Sequence, residues 1–144
     1  MLHVLSFYGS VTTLARATFV SKRLGFPYIV KNIRVKFALG HVGTVQHSFF
    51  VSDDDAAPTA TIPSGTNLLA QYGPVSYVVG DDDVLDMQDQ TIVDRMGTWL
   101  KVHAYNGNTT THTINVVMTI DDLRPHPTMA HLIELLEGLT GEKV

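Results

Sequence analysis

This chain has no cysteine. Disulfides, thiolate nucleophiles and thiolate metal sites are excluded with it. Charge is also scarce: Asp, Glu, Lys and Arg make up 17% of the residues, with 10 basic against 14 acidic. A net charge of −4 and the lack of any Lys/Arg run argue against nucleic acid as a partner, because a phosphate backbone demands a basic face. No apolar run approaches the roughly 20 residues that a membrane helix needs. The first twenty residues, MLHVLSFYGSVTTLARATFV, lack a basic segment followed by an uninterrupted apolar core. The expectation is therefore neither a secretion signal nor a membrane partner. Glycine-rich phosphate loops, a serine nucleophile elbow and H-E-x-x-H are absent too.

What remains is a globular composition, 44% hydrophobic over 144 residues, long enough for one domain with a proper core. Its clearest pattern is TWLKVHAYNGNTTTHTINVVMTI, residues 98–120. Leu100, Val102 and Ala104 share one face of an extended segment, and Trp99, Lys101, His103 and Tyr105 share the other. After Asn106-Gly107-Asn108, a second segment sets Ile114, Val116, Met118 and Ile120 against Thr113, Asn115, Val117 and Thr119. Side chains alternate across a strand, so the period of two predicts strands with one dry face. The polar turn between them predicts an antiparallel hairpin. A sheet with one dry face requires a second layer to cover it.

The rest of the chain repeats this logic. Residues 11–22 read as an edge strand guarded by Arg16 and Lys22. Ile33, Val35, Phe37 and Leu39 alternate with polar residues up to Gly40, and Gln46 to Ser52 forms another strand carrying His47, Phe49 and Val51 on one side. Residues 56–74 form a long irregular connection with a short helical turn or lone strand at 67–72. Val75 to Val79 reads as a short strand. Val84 to Val93, interrupted by Asp86, Asp89 and Asp94, reads as a strand with a bulge or as a strand plus a loop. Beyond Pro125, Thr128 is an N-cap, and Met129, Leu132, Ile133 and Leu136 fall on one helical face.

The expected fold class is therefore all-β: an antiparallel β-sandwich of jelly-roll type with a short C-terminal amphipathic helix. Residues 1–124 form the sandwich, and 125–144 a helical tail packed on it or on a neighbouring subunit. The expected core is Ile33, Val35, Phe37, Phe49, Val51, Leu100, Val102, Ile114, Val116 and Met118.

No constellation spells out chemistry. Asp53 to Asp55 and Asp81 to Asp83, with Asp86 and Asp89, are possible oxygen ligands for calcium, but the spaced loop with a distal Glu is missing. Adjacent Asp residues at strand ends are more often solvated turns. His3, His41, His47, His103, His112, His126 and His131 are scattered, with His103 and His112 expected near one another beside the turn. No nucleophile or base partner is spaced to use them. The expectation is no catalytic residue, no metal and no cofactor. Trp99, His103 and Tyr105 form either an interaction row or a surface lying under the 56–74 loop. Met129, Leu132, Ile133 and Leu136 are the second set of interaction candidates.

IVKNIRVKFALG, then SFFVSDD, then TWLKVHAYNGNTTTHTINVVMTI resembles the strand-and-turn pattern of small β-sandwich virion proteins of tailed bacteriophages and prophages. The similarity spans residues 29–120 and carries over no functional residue. It implies a non-enzymatic virion structural protein, a capsid decoration or cement component or a minor structural one. Such a protein assembles in the host cytoplasm and contacts a major capsid or other virion protein. Self-association as a homo-oligomer, a trimer ahead of a dimer, goes with it. The alternative is a carbohydrate-binding β-sandwich module that uses exposed aromatics, Trp99 and Tyr105.

Overall fold

A computed structural model describes residues 1–124. Eight strands run in the order β1 (Leu2–Val11), β2 (Ala15–Val20), β3 (Tyr28–Phe37), β4 (Val45–Ser52), β5 (Thr66–Asn67), β6 (Asp83–Val93), β7 (Trp99–Asn106) and β8 (His112–Asp122). A 3₁₀ turn, Leu68–Tyr72, follows β5, with the Asn67 side chain capping it. The expected C-terminal helix, with Met129, Leu132, Ile133 and Leu136, lies outside the described residues.

The strands form two four-stranded sheets, β1-β8-β3-β6 and β2-β7-β4-β5. Every ladder is antiparallel. Strand 1 pairs with 8, 2 with 7, 3 with 6 and 4 with 5, as if one long hairpin had been rolled so that alternate pairs fall in opposite sheets. This is the strand order of a jelly roll, and it buries the dry face of each sheet against the other.

The hairpin expected at 98–120 is not there. β7 pairs with β2 and β4, and β8 with β1 and β3, in the opposite sheet. The Asn106–Gly107–Asn108 turn is an arch between layers. The two apolar faces meet across the sandwich instead of lying side by side, and a period of two is the same in both cases. Asn106 stabilises the arch: its Nδ2 donates to the carbonyls of Val11 and Thr110, and its Oδ1 accepts from Asn108 N.

Three further expectations shift. Residues 11–22 divide at a turn, Val11 ending β1 and Ala15 opening the edge strand β2. Leu39 lies past the end of β3 and is exposed. Residues 75–79 are not a strand, although Val78 makes one isolated bridge to His47. Of the two forms expected for 84–93, the strand with a bulge is present, opposite a register shift between Val30 and Asn32.

The ten expected core residues are all buried, joined by Phe7, Val30, Val45, Ala104 and Ile120. Full burial of one such aliphatic side chain contributes about 1.5–3 kcal/mol, which makes this interface between sheets the main source of stability. Tyr28 and Thr98, both wholly buried, satisfy each other through an Oη–Oγ1 hydrogen bond of 2.9 Å. Gly9 lets the two layers close at the β1–β2 corner, since a Cβ there would run into the Phe19 ring.

Candidate functional site

The outer face of β7 carries Trp99, Lys101, His103 and Tyr105, and the structure covers it. The 53–65 connection crosses this side of the sheet. Lys101 is completely buried, and its Nζ donates to Asp54 Oδ1 at 2.8 Å. Asp54 also accepts from Ser64 Oγ and Ala56 N. These bonds, the Lys101 ammonium first, hold its carboxyl far below the usual carboxylate range. The ion pair is lopsided, with a dry ammonium and a half-solvated carboxylate.

His103 is also buried. Arg16 Nη1 lies 3.2 Å from His103 Nε2, and His103 Nδ1 lies 2.9 Å from Thr18 Oγ1. A guanidinium only donates, so His103 Nε2 accepts and Nδ1 carries the proton. That proton is donated to Thr18, whose hydroxyl in turn donates to Pro58 O at 2.7 Å. Burial and the Arg16 charge push the His103 imidazole down to about 4, consistent with a neutral ring. The Arg16 guanidinium also lies 4.8 Å from the Tyr105 ring centroid. Trp99 and Tyr105 are half-buried at the two ends of β7. Beside Arg16 and Tyr105 opens a cleft of about 150 Å³.

His103 and His112 do not meet. His112 instead joins His41 and His47 at the arch end of the sandwich, with ring centroids 4.9 Å (His41–His112) and 6.1 Å (His41–His47) apart. His41 Nε2 donates to Thr113 O, and His47 Nδ1 to Val45 O. Each leaves its other ring nitrogen buried and without a hydrogen-bond partner among the described residues. Burial pushes His47 down to about 4 and lowers His41 as well.

The aspartates are spread out as fasteners. Asp81 Oδ1 accepts the N–H groups of Gly40 and Val42, shaping a turn in which Val42 takes the left-handed φ of 47°. Asp86 accepts from Asn32, Asp89 from Gln71 and Thr91 N, and Asp53 pairs with Arg95. Among the described residues, no group of three or more His, Asp or Glu is placed to hold a metal ion, and no helix is long and apolar enough to cross a membrane.

Sequence reasoning missed one element altogether, the edge strand β1. Its ten residues, LHVLSFYGSV, contain no Lys, Arg, Asp, Glu or Pro. Its outward side chains Leu2, Val4 and Tyr8 are 63%, 65% and 71% exposed. Natural sheet edges are usually guarded by charge, proline, bulges or shortness. The other three edges follow that rule: β2 carries Arg16, β5 has two residues, and β6 carries Asp83, Asp86 and Asp89 with a bulge. Among the described residues, β1 alone of the four edges is long and uncharged.

No protein-family model and no curated protein matches this chain. Among solved structures it is similar to that of infectious bursal disease virus Gt strain, with a TM-score of 0.45 and 8% identity over 88% of this chain and 33% of that one. It is also similar to that of the Gx strain, with a TM-score of 0.38 and 8% identity over the same shares. The chain spans about a third of the length of either.

Proposed function

We propose that this protein is a non-enzymatic structural component of a virion, acting through protein–protein contacts with copies of itself and with a shell protein. The unguarded β1 edge carries the reading. A ten-residue edge strand with no second partner strand among the described residues, and with exposed Leu2, Val4 and Tyr8, is a template for pairing with another chain. A second copy suits it best. β1 and β6 lie at opposite ends of one sheet, so β1 of one copy can meet a different surface of the next. Such head-to-tail contacts close into rings, and a trimer is the state proposed here. Residues 125–144, with Met129, Leu132, Ile133 and Leu136, are a second proposed contact with a neighbouring subunit. Attachment to a capsid or tail is proposed on the resemblance of the strand-and-turn pattern in residues 29–120 to that of small tailed-phage virion proteins.

Particles purified from the source and analysed by quantitative mass spectrometry test the proposal. The expected result is this chain at a fixed ratio to the major shell protein, surviving washes at high salt. Absence from the particles, or a ratio that varies from one preparation to the next, overturns it.

A further inference from the structure

The cleft beside β7 lies on the other sheet from β1. Its lining combines one cation, aromatic and apolar walls, and neutral polar side chains: Arg16, then Tyr105, Tyr77 and Phe50, then Gln46 and Asn67. Arg16 is fixed from two sides, by His103 at 3.2 Å and by the Tyr105 ring at 4.8 Å. The His103–Thr18–Pro58 relay locks that arrangement in place. Only one guanidinium nitrogen is engaged by the histidine, which leaves the other N–H donors of this cleft-lining side chain without a partner among the described residues. Among the described residues, no carboxylate pairs with Arg16. A half-buried, immobilised guanidinium without a counter-charge is a prepared site for a carboxylate, the anion it binds in a bidentate fork.

We infer that this cleft binds an acidic sugar residue, a uronic or sialic acid, with the carboxylate on Arg16. The surrounding chemistry selects the sugar over a simple acid. Tyr77 and Phe50 line the cleft as apolar walls for the C–H face of a pyranose, and Gln46 supplies an amide for its hydroxyl groups, while the Asn67 amide is taken up by Leu69 N and Ser76 O. The site differs from an exposed aromatic row in using Arg16 from β2, which faces Tyr105 across the ladder.

The test is a titration of isotope-labelled full-length protein followed by NMR, with glucuronate, N-acetylneuraminate, glucose and glutarate as probes. At least one sugar acid should shift the Arg16, Tyr77 and Tyr105 signals, and glucose and glutarate should bind at least about tenfold more weakly. Arg16→Gln should abolish the sugar-acid shifts while its melting temperature stays with wild type. Arg16→Lys, which keeps charge but loses the fork, should retain only weak binding. Several results overturn the inference: no shift with either sugar acid up to about 50 mM, glucose binding as tightly as the acids, or Arg16→Gln binding like wild type. Glutarate matching the sugar acids overturns it as well, and assigns the cleft to an acidic protein side chain.

Discussion

Lys101 and Asp54, 47 positions apart, meet at 2.8 Å, with the lysine wholly buried and the aspartate half in solvent. The pair fastens the 53–65 connection over the outer face of β7. Removing the carboxylate strands a buried ammonium, whereas removing the ammonium strands only a solvated carboxylate. Asp54→Asn should therefore lower the denaturation midpoint more than Lys101→Met does. Urea titration of the two variants decides it, and the reverse order contradicts the assignment.

Acid should weaken the fold well before its carboxylates titrate. His47 and His103 titrate at about 4 in the folded chain, against about 6.5 when unfolded. Between those values the unfolded chain binds more protons, so stability rises with pH. It is complete above about pH 6.5 and is lost progressively as the pH falls towards 4. His47 alone accounts for at most roughly 3 kcal/mol of that loss. Melting temperatures from pH 7.5 down to about 4.5 should fall, and the histidine ring signals should titrate late. A flat profile with both midpoints near 6.5 contradicts this.

Val116 lies in the middle of β8 with no exposure, its register partners being Phe7 on β1 and Val35 on β3. Val116→Asp would bury an unpaired charge between the sheets and should prevent folding. Met118→Ala, two residues on, should fold but lose about 3 kcal/mol to the cavity. A soluble Val116→Asp protein melting like wild type would contradict the burial pattern described here.

The core of the sandwich was legible in the sequence because alternation reports which side of a strand is dry. Ile33, Val35 and Phe37 in β3 and Ile114, Val116 and Met118 in β8 show this directly. Pairing was not legible: β7 and β8 look the same whether they form a hairpin or an arch between sheets. Lys101 and His103 occupy positions that alternation assigns to solvent, and only a distant loop buries them. β1 escaped notice because its apolar residues occupy both faces, which erases the period of two. The Arg16–His103 contact joins residues 87 positions apart, and no local pattern announces it.

Sedimentation velocity on the full-length protein, beside Val4→Lys, tests the assembly reading most directly. Val4 is exposed on β1, so lysine there leaves the fold intact while supplying the charge that guards ordinary edges. The account predicts a discrete homo-oligomer, a trimer, for wild type, and a monomer of unchanged melting temperature for the variant. A wild-type monomer at every concentration, or a variant that assembles as wild type does, contradicts it.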